Sequence, residues 1–462
     1  MHTEDTIISL SSPPGRGAIG IIRISGKNTK SILNLIAKTP NNQKINTLHP
    51  RKLQRALFYL DGEWIDDGMF VYFHSPFSYT GEDMAELYIH GNPLIAKKII
   101  SFVSLKGLAR PSLPGEFTRR AFLNGKIDLT KAESINRIIQ AKSEFELNSL
   151  KKIYFGDLYK LIHKIRSEIL LLKANLEAEI DFSDQDIEYT EKEVLIQKVY
   201  EIKNKIQNLL ENSSLVSKIS QGIQISLVGK TNAGKSSLMN KILGWDRSIV
   251  SEVEGTTRDY ISEEMEIAGI LVRIVDTAGL RVTYDKIEQE GIKRTKEAME
   301  RSFLILHIID GSLPKYEFTE EITKFLKKNH NKILVHIINK KDTLHKDSWK
   351  IEDFIQDQNT KVIYTSCKTG EGLLELKNLI EELIQNHYQV TDPYLLEERQ
   401  YYHFNKILES LEKILTLWNQ NAPEEILSVE LNYAIEHLAE LTGEVTTEEI
   451  LGKIFSMFCI GK

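Results

Sequence analysis

One segment of the chain has chemistry that can be read from residue types and spacing alone. Gly229-Lys230-Thr231-Asn232-Ala233-Gly234-Lys235-Ser236 fits the pattern G-x-x-x-x-G-K-[ST]; it follows the apolar run IQISLV and opens the run SSLMNKIL. A glycine-rich turn between a strand and a helix offers backbone N–H groups and the positive helix end to phosphates. Asn232, Ala233, Gly234, Lys235, Ser236 and Ser237 are therefore read as a phosphate cradle. Lys235 is placed to reach β- and γ-phosphates, and the Ser236 hydroxyl to ligate Mg²⁺. A chance glycine turn would not bring the strand and the helix with it.

Three further elements follow in order. Asp276-Thr277-Ala278-Gly279 ends a strand; its Asp can hold Mg²⁺ through water, and the Gly N–H can sense a γ-phosphate. Asn339-Lys340-Lys341-Asp342 ends another, and the Asp342 carboxylate can accept N–H bonds from guanine N1 and N2. Adenine lacks that donor pair, so the element selects GTP over ATP. Ser366-Cys367-Lys368 is read as the loop that closes on the base, with Cys367 a small loop residue rather than a reactive thiol. Gly255-Thr256-Thr257-Arg258-Asp259 lies where a γ-phosphate-sensing switch belongs. In small signalling GTPases a Gln directly after D-x-x-G orients water; here that place is Leu280, which cannot. Either hydrolysis is slow, or another group positions water and a cation offsets charge.

These residues need a scaffold, and 462 residues with 41% hydrophobic content are enough for two to four domains. Residues 222–383 alternate strand-like and helical runs (IQISLVG, SSLMNKIL, VRIVDTAG, IKRTKEAME, FLILHIID, KILVHIIN, KVIYTS, LLELKNLIEELI), the pattern of a mainly parallel α/β sheet. Residues 127–221 and 384–462 carry apolar residues at three- and four-residue spacing and read as a helical domain in two parts. Residues 1–126 read as a separate α/β domain, with strands in DTIISL, AIGIIRIS, LQRALFYL, GMFVYF and MAELYIH and helices in SILNLIAKT and NPLIAKKIISFVSL. The expected architecture is an α/β domain inserted into a helical one, with its ends close together.

The overall charge of −6 hides an asymmetry. Residues 1–126 hold 16 Lys and Arg against 10 Asp and Glu, or +6; residues 222–383 hold 24 against 26, or −2; the helical remainder is −10. That excludes a polybasic nucleic-acid binder as a whole. Two cysteines, Cys367 and Cys459, exclude a disulfide scaffold and suit a reducing compartment. No signal peptide or membrane-length apolar run is visible, so no membrane role is expected.

The two ends carry the most specific pattern. The chain opens DTIISLSSPPGRGAIGIIRISG and closes Phe458-Cys459-Ile460-Gly461-Lys462, with Tyr79-Thr-Gly-Glu82-Asp and Pro114-Gly-Glu-Phe-Thr-Arg-Arg-Ala-Phe-Leu-Asn-Gly-Lys126 between. From about residue 5 to 462 it resembles the tRNA-modification GTPases of the MnmE (TrmE) family. That resemblance implies a cytoplasmic homodimer joined through the N-terminal domain. It implies a flavoprotein partner of the MnmG type, FAD-bearing, in a heterotetramer that modifies C5 of the wobble uridine of certain tRNAs. It further implies a one-carbon unit from a tetrahydrofolate derivative of 5-formyl or 5,10-methylene type, and potassium-stimulated GTP hydrolysis.

By position the resemblance assigns folate contacts to Arg23, Glu82, Lys126 and Lys462. It assigns potassium contacts to the Asn232 side chain and to Ser251, Val253 and Thr256. Mg²⁺ falls to Ser236 and Thr257, and the water-positioning carboxylate to Glu288, with Glu290 as its alternative. Cys459 is the candidate near the modification chemistry. Without the resemblance, Arg23, Glu82, Lys126 and Glu288 read better as surface charges and Cys459 as a small hydrophobe, while Asn232 reads equally as a loop former. The competing functions are a ribosome-assembly or translation GTPase acting as an RNA-dependent switch, and a generic G-protein regulator. An Era-type ribosome-assembly protein would carry a KH domain with a GXXG loop after residue 383, and none is visible.

Overall fold

The computed structural model describes residues 5–181 except 42, 44, 46 and 47, and then 190–245, 262–276, 296–313, 332–344, 360–390 and 393–462. It divides into two compact units: residues 1–140, 150–210 and 396–462, and residues 141–149 and 211–395.

The first unit opens with a seven-stranded sheet ordered β3-β4-β5-β6-β2-β1-β7. Its strands are β1 (Ile7–Leu10), β2 (Gly17–Ser25), β3 (Ala37–Lys38), β4 (Gln54–Leu60), β5 (Glu63–Phe73), β6 (Met84–Gly91) and β7 (Arg110–Pro111). All neighbours are antiparallel except β1 and β7. Alternation along β2 explains the layering. Ile22 and Ile24 point into a core with Ile32, Leu33 and Ile36 of α1 (Thr29–Ile36) and Ile99 and Val103 of α2 (Pro93–Leu105). Arg23 and Ser25 therefore fall on the opposite face. Helix α3 (Glu116–Leu123) begins after Gly115, whose φ of 63° suits glycine. It was not expected from periodicity, because its apolar residues are few and the segment is rich in charge. Strand β5 also starts earlier than GMFVYF suggested. Asp61 (φ 46°) and Gly62 (φ 90°) form the Asp-Gly turn of a tight hairpin, a cue present in the sequence.

The helices of this unit are α4 (Leu129–Gln140), α5 (Glu144–Tyr154), α6 (Asp157–Asp181), α7 (Lys192–Ser220), α10 (Glu398–Asn419), α11 (Glu424–Thr442) and α12 (Glu448–Ser456), with α5 and α7 each running on into the other unit. Helix α6 buries Leu158, Ile162, Ile165, Ile169, Leu172 and Leu176, one continuous stripe at three- and four-residue spacing. Helix α10 opens with a capping box between Glu397 and Gln400. The two sequence-distant parts of the helical domain are joined at Glu133. Its carboxylate accepts from Arg399 Nε (2.7 Å) and Nη2 (3.0 Å) and from Gln400 Nε2 (2.6 Å).

The second unit is a six-stranded sheet ordered β13-β12-β11-β8-β10-β9, parallel except for β9 against β10. The strands are β8 (Ile223–Val228), β9 (Ser262–Ile267), β10 (Ile270–Asp276), β11 (Leu304–Asp310), β12 (Ile333–Asn339) and β13 (Thr360–Tyr364). Helix α8 (Lys235–Leu243) and helix α9 (Leu373–His387) supply Leu238, Ile242, Leu376, Ile380 and Ile384 to its core. Strands β8, β11 and β12 are near-continuous apolar runs, as strands covered on both faces must be.

Two histidines interrupt those runs. His307 on β11 and His336 on β12 are register partners, fully buried, with Nδ1 atoms 2.9 Å apart. Burial lowers both pKa values, that of His336 to about 4. A base whose folded pKa is depressed stabilises the fold above its unfolded value of about 6.5 and loses that contribution as pH falls toward the folded value. We expect acidification from pH 7 to pH 5 to cost about 2 kcal/mol through His336 alone. Thermal unfolding of the intact chain and of His336→Gln across that range tests this; equal pH slopes in the two proteins would refute it.

Candidate nucleotide site and the C-terminal tail

The phosphate loop spans Gly229 to Ser236 between β8 and α8. Two of its glycines are required by close approach. A Cβ on Gly229 would meet the Ile308 carbonyl oxygen at 2.2 Å, and one on Gly234 the Asn339 Nδ2 at 2.2 Å. Asn232 has φ of 65° and is exposed. Ala233 is buried, while Ser236 and Ser237 face outward. The Lys235 ammonium donates to the carbonyls of Gly229 (2.7 Å) and Lys230 (2.7 Å), which holds it inside the loop. Ser236 Oγ donates to Asp276 Oδ2 at 3.3 Å. A hydroxyl and a carboxylate oxygen that close form a hard-oxygen pair of the kind Mg²⁺ takes.

Asn339 ties the site together from the end of β12. Its Nδ2 donates to the Ala233 carbonyl (3.0 Å), and its Oδ1 accepts from Thr365 Oγ1 (3.4 Å) and the Cys367 N–H (3.3 Å). One buried amide thus fastens the phosphate loop to the 366–368 loop, a role its motif position did not disclose. Ser366 Oγ donates to Asp342 Oδ1 at 2.6 Å and orients the carboxylate; that bond and the Lys368 and Lys340 charges hold Asp342 below the usual carboxylate range. Ionised and exposed, it is an acceptor for a donor pair such as guanine N1 and N2. Lys340 (φ 62°) reaches Asp310 Oδ2 at 2.6 Å, an acidic partner at the end of β11 that sequence reading did not single out. Burial pushes the Cys367 thiol up, in keeping with a packing role. Ser251, Val253, Thr256, Thr257, Thr277, Ala278, Gly279, Leu280, Glu288 and Glu290 lie outside the described residues.

A second cluster forms where the C-terminus meets the N-terminal sheet. Ser11 Oγ donates to the Gly461 carbonyl (2.9 Å), and the Phe117 N–H donates to the Lys462 carbonyl (3.1 Å). Gly461 has φ of 92°, and a Cβ there would meet the Leu10 carbonyl oxygen at 2.2 Å, so the tail needs glycine at this place. Arg23 and Glu86 are register partners on β2 and β6; Glu86 Oε1 accepts from Arg23 Nε (3.0 Å) and Nη2 (2.8 Å). The guanidinium lies 5.5 Å from the Tyr79 ring centre and 5.6 Å from that of Phe117. Burial, and then the Arg23 charge, lower the Lys462 pKa, against the pull of Cys459 and Glu86. Arg23, Glu86, Cys459 and Lys462 are therefore electrostatic neighbours, and Cys459 is exposed and not in a disulfide.

Glu82 and Lys126 border the same region through the 79–83 loop. Glu82 Oε2 accepts from Ser25 Oγ (2.6 Å), and both its oxygens accept from Arg120 Nη1 (3.2 Å each). The Lys126 stem lies where a Cβ on Gly81 would touch it, 3.2 Å from its Cε. Tyr79 OH pairs with Thr118 Oγ1 at 2.9 Å, linking the loop to α3. Sequence reading missed Glu86 and Arg120. Cross-strand register from Arg23 finds the first, and the position of Arg120 inside the Pro114–Lys126 segment offers the second.

No helix among the described residues is long and apolar enough to cross a membrane. The family profile described as the MnmE helical domain matches residues 129–459, and that of the GTP-binding protein TrmE N-terminus matches residues 6–126. A tRNA modification GTPase MnmE of Leptospira interrogans (serovar copenhageni, strain Fiocruz L1-130) is 43% identical over 460 residues, 99% of this chain and all of that one. Proteins of the same name from Aquifex aeolicus (strain VF5) and Thermotoga maritima (strain MSB8) are 38% and 37% identical, each over 99% of this chain and their full length.

Proposed function

The chain belongs to the MnmE family of tRNA modification GTPases, and from that premise we infer that its GTP hydrolysis is potassium-stimulated and drives C5 aminomethyl or carboxymethylaminomethyl modification of a wobble uridine. The working assembly is a homodimer joined to an FAD-bearing flavoprotein of the MnmG type, with tRNA as substrate, in the cytoplasm. A tetrahydrofolate derivative supplies the one-carbon unit. The observation that carries this reading is the seating of the Gly461–Lys462 tail on Ser11 and Phe117, whose ring lies against the Arg23 guanidinium, in a chain that also holds the nucleotide loop.

The residues divide the work as follows. Backbone N–H groups of 232–236 and the Lys235 ammonium hold the β- and γ-phosphates and stabilise charge as the γ-phosphoryl leaves. Ser236 and Thr257 would supply side-chain oxygens to Mg²⁺, with Asp276 reaching it through water, and the ion would neutralise phosphate charge when bound. Asn232, with carbonyls of Ser251, Val253 and Thr256, holds K⁺. Glu288 orients the attacking water, work that Leu280 cannot do. Asp342 reads guanine.

On the N-terminal face, Arg23 and Lys462 meet the carboxylates of a folate tail. A carboxylate offers about four lone-pair sites. Ser25 and Arg120 take one and two of those on Glu82, which leaves one acceptor on Oε1 for a pterin N–H. Lys126 closes the edge beside Gly81. Cys459 acts near the modification step and not in hydrolysis.

Nucleoside mass spectrometry of tRNA from cells lacking the protein tests the reading. Loss of C5-aminomethyl-type wobble uridines, restored by the intact chain, is expected. An unchanged nucleoside profile would leave the GTPase without its modification role and favour the ribosome-assembly alternative. Complementation with Cys459→Ser should hydrolyse GTP at the parental rate and restore none of the modified uridine; full restoration would make Cys459 structural.

A further inference from the structure

We propose that His403, His437 and Glu440 form a binding site for a transition-metal cation, Zn²⁺ foremost, that fastens α10 to α11. The three residues take no part in the nucleotide or tail sites. His403 lies on α10, and His437 and Glu440 lie three residues apart on α11, so the latter two share a face.

The geometry is that of a ligand set. His403 Nδ1 is 3.2 Å from His437 Nδ1 and 3.0 Å from Glu440 Oε2, and His437 Nδ1 is 3.3 Å from the same oxygen. Bonds of about 2.0–2.1 Å at tetrahedral angles place two zinc ligands about 3.3 Å apart. Hydrogen bonds alone do not account for the triangle. Each imidazole Nδ1 carries at most one proton and the carboxylate none. With both nitrogens protonated, the 3.2 Å edge joins two donors; with one protonated, the other nitrogen and the oxygen are two acceptors. Every protonation pattern therefore leaves one unfavourable edge, whereas one cation at the centre takes all three lone pairs.

The surroundings suit this use. His403 is buried, so an ion held there is shielded from bulk water on that side. Arg399 is the nearby cation that would oppose a metal. Its charge is met by Glu133 at 2.7 Å and 3.0 Å, and its Nη1 donates to the Glu440 carbonyl at 2.8 Å, which fixes the turn carrying the ligand. The His437 and Glu440 side chains keep 23% and 34% exposure, enough for an ion to enter and for water to take a fourth position.

The test uses the purified full-length chain, stripped with a chelator and free of nucleotide, titrated with Zn²⁺ alone. We expect about one equivalent bound at micromolar affinity or tighter, with a rise in melting temperature. Co²⁺ should give visible bands of a tetrahedral nitrogen–oxygen site without a thiolate charge-transfer band. Glu440→Gln, which keeps size and hydrogen bonding, and His437→Gln should each weaken binding at least about tenfold, with metal-free melting and GTP hydrolysis unchanged. Absence of binding at about 100 μM, equal affinity in both variants, or a cobalt–thiolate band would each overturn the proposal.

Discussion

Replacing Lys235 with Ala will lower the GTP hydrolysis rate by about a thousandfold, about 4 kcal/mol of transition-state stabilisation. The ammonium is pinned between the Gly229 and Lys230 carbonyls and buried to 5% exposure, so its direction is set before any phosphate arrives. Preorganised charge of this kind counts most where water is excluded, because nothing must reorient as charge develops. Alanine keeps the helical start after Gly234 and removes the ammonium together with its aliphatic stem. Single-turnover hydrolysis at saturating GTP reads the chemical step directly. Lys235→Arg should recover little, since a planar guanidinium fork does not reproduce the compact ammonium that the two carbonyls hold. A loss below tenfold in the alanine variant would mean that the loop N–H groups and metal carry the charge without Lys235.

The nucleotide site was legible because its residues are local. Gly229 to Ser236 is one loop, and strand and helix flank it in sequence as in space. Burial on both faces made β8, β11 and β12 visible as near-continuous apolar runs. What stayed hidden depends on residues far apart in the chain. The pairing of Arg399 and Gln400 with Glu133 spans more than 260 residues, and nothing in either local pattern announces it. The tail cluster was reachable only through the family resemblance, which named Arg23 and Lys462. Glu86, their acidic neighbour, follows only from strand register. Helix α3 escaped because its burial is largely polar: Glu116, Thr118 and Arg120 are all buried in it. Hydrophobic periodicity cannot report a helix held by charge. Likewise Ser143 and Glu146 cap α5, with the Glu146 N–H donating to Ser143 Oγ and the Lys142 N–H to Glu146 Oε2. That S-x-x-E signature was in the sequence and cuts what periodicity reads as a continuous helical stretch.

The same polar burial makes Arg120 the position of largest expected effect on the N-terminal domain. Its side chain is 4% exposed and serves three carboxyl-bearing residues. Nη1 donates to the Asp5 carbonyl (2.8 Å) and both Glu82 oxygens, and Nη2 donates to Asp5 Oδ1 (2.7 Å) and Glu116 Oε1 (2.9 Å). In Arg120→Ala, Asp5 and Glu116 keep Arg110, but Glu82 keeps only the Ser25 hydroxyl. Breaking a buried pair by removing one partner costs about 3–5 kcal/mol, because the remaining charge is left uncompensated. In a chain of several domains that cost is best read locally. Hydrogen-exchange protection of β1, β2 and α3 should fall by about two-hundredfold to several-thousandfold, with the helical and nucleotide-binding parts unaffected.

The sign of the pH response separates this mechanism from simple loss of packing. The arginines hold Asp5 and Glu116 below their ordinary carboxylate pKa values. Carboxylates with depressed folded pKa values stabilise above their unfolded values, about 4, and lose that contribution as pH falls through the folded ones. The parent protein should therefore lose protection below about pH 4 faster than Arg120→Ala. Convergence of the two on acidification would identify the missing charge as the cause. A constant gap across the range would assign the whole effect to the cavity left by the side chain.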